Sequence, residues 1–234
     1  MAENLPILLV PGLNCSARLY ALQLPALWRQ GPVTIASHTH DDTMPAIARR
    51  ILDAAPPRFA LAGLSMGGYI ALEIVRQAAD RVARLALLDT GARADPPEAQ
   101  ELRKARIALA ESGKFDEVNE STWPIAVHPD HLADAALKAE YIAMAHDVGP
   151  QAYVRQQKAI MARVDSRPLL PTIRCPALVL VGAQDALTPP HLADEMAAGI
   201  PGARLVKVAD CGHISTLERP QAVSSVLEAW LREG

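Results

Sequence analysis

The sequence predicts an α/β protein: a mainly parallel sheet of about six strands flanked by helices, interrupted by one helical insertion. Three observations predict it. Short apolar runs alternate with helical patterns along most of the chain. Several of these runs are apolar throughout, as strands covered on both faces are. Between residues 92 and 174 the alternation stops, and only helical patterns separated by loops remain.

Taken in order, the predicted strands are Pro6–Val10, Val33–Ser37, Arg58–Gly63, Val82–Leu88, Ala177–Val181 and Arg204–Val208, most of them rich in Val, Leu and Ile. The first run breaks at Pro11-Gly12, and the third leads through Gly63-Leu64-Ser65-Met66-Gly67-Gly68 into a helical stretch from Tyr69. The inserted segment carries Leu137, Tyr141, Met144 and Val148 on one helical stripe and Tyr153, Ile160 and Val164 on another. After the fifth strand, Leu192, Met196 and Ile200 lie four apart on a helix. Thr188 is its expected N-cap, and Pro189 sits where a missing N–H costs nothing. The last helix puts Val223, Val226, Leu227, Trp230 and Leu231 on one face. The expected organisation is a core over residues 1–91 and 175–234, with a helical cap, or lid, over 92–174.

Composition bounds the function. A chain of 234 residues suits one domain with a large insertion, and 50% hydrophobic with 21% charged residues excludes a disordered chain. Lys and Arg number 23 against 26 Asp and Glu, giving a net charge of −3 without a basic run. That argues against nucleic acid or an anionic membrane surface as the main partner. No apolar stretch approaches the ~18 residues of a membrane span, and the N-terminal apolar run reads as a strand, not a signal peptide. Cys15, Cys175 and Cys211 are too few and too scattered for a disulfide framework or a Cys-rich zinc site. The expectation is a cytoplasmic protein, with its oligomeric state left open.

The strongest local signal is Gly63-Leu64-Ser65-Met66-Gly67 between a strand-like and a helical run. A strand that turns at once into a helix holds its serine in a strained conformation, with the hydroxyl projecting outward. Gly63 and Gly67 lie so close to that turn that a Cβ at either would clash. A helix N-terminus there favours developing negative charge. A serine hydroxyl also needs a base, and the base an acid to orient it. His213, in Ala209-Asp210-Cys211-Gly212-His213, follows the last strand and opens on the same carboxyl edge as Ser65. Asp185 follows the preceding strand on that edge, with Asp89, after another strand, as its rival.

The order Ser65, Asp185, His213, the G-x-S-x-G elbow and the helical insertion together resemble the α/β-hydrolase superfamily. The segments GLSMGG, CPALVLVGAQDALTPP and VADCGHISTLERP carry the likeness, and the last two are similar to the acid- and histidine-bearing loops of small bacterial carboxylesterase-like members. The resemblance implies Ser65 as nucleophile, His213 as general base and then acid, and Asp185 as its orienter. It also implies an oxyanion hole from the backbone N–H groups of Leu13 and Met66. Many members carry His-Gly where this chain has Pro11-Gly12, so a histidine contact is missing from that loop. The implied activity is cofactor-independent hydrolysis of a small or medium carboxylic ester. Carbon–carbon hydrolysis, perhydrolysis, lyase chemistry and a non-catalytic receptor are the alternatives.

Other residues admit sharper readings. His38-Thr39-His40-Asp41-Asp42 has the look of half a dinuclear metal site, but it lacks further ligands and reads as a polar loop. His128 and His131 are expected at the surface. Cys15 and Cys211 flank the predicted site as small buried residues or a redox-sensitive pair. Trp123, Met144 and Met161 are candidates for an apolar substrate pocket in the cap, and no metal site is expected.

Overall fold

The computed structural model describes residues 5–232. Six strands, β1 (Ile7–Val10), β2 (Val33–Ile35), β3 (Phe59–Leu64), β4 (Val82–Leu88), β5 (Ala177–Gly182) and β6 (Arg204–Val208), form one sheet in the order β2-β1-β3-β4-β5-β6. Every neighbouring pair is parallel. The strands fall where the apolar runs predict, with ends that match or shift by at most two residues.

The helices are α1 (Leu24–Leu27), α2 (Met44–Ala54), α3 (Met66–Ala78), α4 (Pro97–Glu111), α5 (Phe115–Ala126), α6 (Ala135–Val148), α7 (Pro150–Met161), α8 (Pro190–Gly199), α9 (Ser215–Glu218) and α10 (Pro220–Arg232). Strand alternation sorts the core into two layers. Leu8, Val10, Leu61, Val179 and Val181 pack with Ile47 and Ile51 of α2, Ile70 and Ile74 of α3, and Met196 of α8. Ile7, Leu9, Ala62, Leu64 and Leu180 point the other way, onto Tyr20, Leu27 and the Val223, Leu227 and Trp230 face of α10. Each large aliphatic side chain buried in these layers stabilises the fold by about 1.5–3 kcal/mol.

Helices α4 to α7 all lie between β4 and β5 in sequence. Their excursion is closed at its neck, where the Ser166 N–H donates to the Ala92 carbonyl at 2.7 Å. Arg76 on α3 donates to the Ser166 hydroxyl at 2.9 Å, tying the neck to the core. Two expectations need correction. Val164 lies beyond the end of α7 and is 60% exposed, so the stripe ends at Ile160. Pro189, not Thr188, is the N-cap of α8. No helix among the described residues is long and apolar enough to cross a membrane.

Candidate active site

Among the described residues, four non-glycine residues have positive φ: Asn14, Ser65, Asp89 and Asp210. They follow the carboxyl ends of β1, β3, β4 and β6. Backbone strain of this kind costs roughly 1–3 kcal/mol per residue and persists only where its surroundings enforce it. Here it gathers on one edge of the sheet.

Ser65 sits between β3 and α3 with φ 55° and ψ −116°. Its N–H donates to the Leu88 carbonyl at 2.9 Å, and its own carbonyl accepts from the Thr90 hydroxyl at 2.7 Å. A Cβ on Gly63 would strike the backbone of Gly67, and one on Gly67 would strike the Val10 carbonyl. Only glycine lets the turn come this close to its neighbours.

The Ser65 Oγ lies 2.8 Å from His213 Nε2, and His213 Nδ1 lies 2.8 Å from Asp185 Oδ2. The carboxylate is fully occupied. Its Oδ1 accepts the N–H groups of Leu187 and Thr188 at 2.8 and 2.9 Å, and its Oδ2 also accepts the Thr188 hydroxyl at 2.7 Å. Thr188 therefore uses its side chain on Asp185 instead of capping α8. Burial pushes the Asp185 carboxyl up, but His213 and the Thr188 donors outweigh it and hold it below its ordinary value. Burial alone pushes the His213 imidazole down, and the Asp185 carboxylate, helped by Asp89 and Glu218, leaves it above its ordinary value. The rival acid Asp89 is turned elsewhere. Its Oδ1 accepts from the Gly182 N–H at 2.8 Å and its Oδ2 from the Ser215 hydroxyl at 2.5 Å. Burial, then the neighbouring Asp185 charge, raises its carboxyl well above the usual range.

The loop carrying His213 is fastened to the insertion. The His213 N–H donates to the Ala126 carbonyl at the end of α5, at 3.1 Å. Buried Glu218 accepts the N–H of Gly212 at 3.0 Å and that of His128 at 2.7 Å, and lies 2.8 Å from His131 Nδ1. His128 and His131 thus belong to a junction, not to open surface.

Met66 follows Ser65 directly, and Leu13 lies in the loop after β1. A Cβ on Gly12 would lie 3.4 Å from Ser65 Cβ, so the loop after β1 runs at van der Waals distance from Ser65. Met66 opens α3, with its side chain in the core. Neither the Leu13 nor the Met66 N–H has a hydrogen-bond partner among the described residues. N–H groups left free in the loop that passes Ser65 and at the start of its helix suit a developing oxyanion.

A cavity of about 130 Å³ opens over Ser65 and His213, lined from the core by Leu13, Asn14 and Leu187 and from the insertion by Val118, Thr122, Tyr141 and Ile160. A space of that order holds a molecule about the size of benzene. The three apolar candidates from the insertion do not line it. Trp123 packs on Val127 and Ile214, Met144 is drawn into the core layer that holds Leu19 and Tyr20, and Met161 lies at the far end of α7. The stripes reveal a buried face but not which body buries it.

Sequence reasoning also missed His38 and the buried polar residues of α5 and α7. His38 is buried, and its Nε2 lies 2.9 Å from the Gly12 carbonyl. Asn119, Gln156 and Gln157 are buried too, although polar. Their apolar neighbours at helical spacing, such as Phe115 and Trp123 around Asn119, are the signal that marks such positions. Cys15 and Cys211 are free thiols, both buried. Burial pushes the Cys15 thiol up to about 12 and raises Cys211 as well, which makes both poor redox partners. Among the described residues no group of three or more His, Cys, Asp or Glu side chains is gathered as a metal site.

Comparison with known proteins supports the architecture. A model described as the alpha/beta hydrolase family matches residues 7–226. A protein of Azorhizobium caulinodans provisionally named carbamate hydrolase RutD is 32% identical, over 95% of this chain and 89% of its own. A thermophilic esterase from Thermogutta terrifontis, solved with malate bound, superposes with a TM-score of 0.88 at 30% identity, covering 97% of this chain and 89% of that one. The enol-lactonase from Burkholderia xenovorans LB400 gives a TM-score of 0.90 at 27% identity, covering 99% and 92%.

Proposed function

The chain belongs to the alpha/beta hydrolase family, and we propose that it is a serine hydrolase cleaving a small or medium carboxylic ester through an acyl-enzyme. The observation that carries this reading is the unbroken hydrogen-bonded line from Ser65 through His213 to Asp185 beneath a cavity lined from α4 to α7. The esterase and the enol-lactonase among its structural relatives support an oxygen ester as the bond cleaved.

In this cycle Ser65 Oγ attacks the carbonyl carbon while His213 Nε2 takes its proton. Asp185 holds the Nδ1–H tautomer that makes Nε2 a base and stabilises the imidazolium that forms. The carbonyl oxygen becomes an oxyanion held by the Leu13 and Met66 N–H groups, each worth on the order of 3 kcal/mol in such sites. Collapse breaks the bond to the leaving alkoxide, which receives the proton from His213. Water, deprotonated by the same imidazole, then attacks the acyl-enzyme and returns the serine. Protein and water supply every proton and electron pair, so the cycle requires no cofactor.

On this reading residues 92–174 form the cap over a core of 1–91 and 175–234, and the lining from α4 to α7 selects the acyl group. Three free thiols support a reducing compartment, the cytoplasm. The test is hydrolysis of p-nitrophenyl esters from acetate to octanoate by the wild type and Ser65→Ala. Turnover should fall by several orders of magnitude in the variant with the fold intact. Wild-type-like activity in Ser65→Ala overturns the assignment. A folded wild type that cleaves no ester yet is labelled by a serine-directed phosphonate points to carbon–carbon, peroxy or lyase chemistry, and one that is not labelled points to a receptor.

A further inference from the structure

The cavity over Ser65 has no Asp or Glu in its lining, but it has two arginines, Arg103 and Arg106. Arg103 is already matched. Its Nε donates to Asp95 at 2.5 Å and its second nitrogen to Gln157 Oε1 at 2.8 Å. Asp95 also pairs with Arg163 at 2.8 Å, so it has no charge to spare for another cation.

Arg106 is different. It makes no hydrogen bond or ion pair among the described residues, although it is half-buried. Its neighbours three and four positions away on α4 are Leu102, Arg103, Leu109 and Ala110, so its own helix offers no carboxylate. Burial raises the phenols of Tyr141 and Tyr153, and the Arg106 charge opposes that in both, which puts the guanidinium near both rings. Tyr153 accepts from Gln157 Nε2 at 2.5 Å, leaving its hydroxyl proton free to donate. A second, independent feature points the same way. Asn119 lines the cavity at 1% exposure, and its Nδ2 has no partner. A cation and a buried amide donor left unmatched in one small cavity are costly unless a ligand completes them.

We propose that Arg106 and Asn119 form a carboxylate subsite, and that the substrate is an ester or lactone bearing a free carboxylate away from the scissile bond. The assignment rests on the ester-hydrolase reading for its chemistry and on the cavity lining for its charge. A planar guanidinium matches a carboxylate through two parallel N–H···O bonds, and the compact group suits the small cavity. The reaction is ordinary hydrolysis: the ester C–O bond breaks, water supplies OH to the acyl carbon and H to the alcohol, and the remote carboxylate is unchanged.

The experiment compares monomethyl glutarate with methyl 5-methylhexanoate, in which an isopropyl group replaces the carboxylate, and 4-acetoxybenzoate with phenyl acetate. The wild type should prefer the charged member of at least one pair. In Arg106→Met that kcat/KM ratio should fall by about 10- to 100-fold, the worth of a charged hydrogen bond, with Arg106→Lys in between. A ratio near one in the wild type for both pairs, or one that Arg106→Met leaves unchanged, overturns the proposal. If no ester is turned over, the ester reading fails by itself. Glutarate binding by calorimetry then decides the subsite: binding lost in Arg106→Met keeps it, and no binding to the wild type removes it.

Discussion

His38 Nε2 lies 2.9 Å from the carbonyl oxygen of Gly12, so the loop after β2 props the loop after β1 that faces Ser65. A carbonyl only accepts, so Nε2 carries the proton and the tautomer is fixed. Where the family resemblance finds a histidine missing from the loop itself, this chain supplies one from the neighbouring loop.

Removing that prop should show in two ways. His38→Ala leaves a buried carbonyl without a donor, which costs about 1–3 kcal/mol of stability in urea unfolding. The Leu13 N–H shifts with the loop, so kcat should fall while KM stays close to the wild-type value, because the lost contact belongs to the transition state.

Acid should act on the same residue. Burial pushes the His38 imidazole down to about 4, whereas an unfolded histidine titrates near 6.5. Below pH 6.5 the unfolded chain binds a proton that the folded chain refuses, so stability falls with pH until about pH 4. The loss should total about 3 kcal/mol. Denaturant titrations of wild type and His38→Gln across pH 4–7 should differ by that amount, since glutamine keeps the donor but cannot charge.

The two acids are separable. Asp185→Asn presents an amide to His213 Nδ1 and favours the wrong tautomer, so kcat should drop about 10³- to 10⁴-fold. Asp89→Asn retains an acceptor for the Gly182 N–H, and its amide can donate to the Ser215 hydroxyl. Its activity should stay within about tenfold of wild type. A larger loss from Asp89→Asn would exchange their roles.

The legible part of the site is the part encoded in short contiguous segments. The glycines at 63 and 67 mark Ser65 because the backbone there tolerates nothing larger, and Gly212 marks the turn that swings His213 inward. Sequence favours Asp185 and keeps Asp89 as its rival, since both end strands on one edge. What divides them is which carboxylate oxygen meets Nδ1, a matter of a few ångströms. The six strands were legible because burial on both faces leaves a continuous apolar run. The pocket was not. Met144 and Trp123 have the composition of a pocket wall, yet α6 and α5 turn them onto other helices, while the cavity takes Arg106, Asn119 and Thr122 from faces that look solvated.

The pH profile of turnover should carry the mark of the pair. The Asp185 carboxylate leaves His213 above its ordinary value, and the base works only when neutral, so the acid limb of kcat/KM should lie above pH 6.5. In Asp185→Asn the residual activity should show that limb moved to lower pH, because the carboxylate that favours the charged imidazole is gone. The pair's contribution to stability runs the other way: the His213 share is fully present below pH 6.5 and is lost as pH rises through its raised folded value.

The hydrogen bond from Ser166 to the Ala92 carbonyl means that the whole run of helices α4 to α7 departs from and returns to nearly one point. A segment whose ends already meet can be replaced by another of different length without pulling the strands apart, since chain closure costs little more for a longer loop than for a shorter one. Selectivity and reactivity can therefore change hands separately in such a molecule. Ser65, His213 and Asp185 stay on the loops at the carboxyl edge of the sheet, and the chamber above them is an interchangeable part, with the Ala126 carbonyl and the His128 N–H as the fittings that any replacement must reproduce.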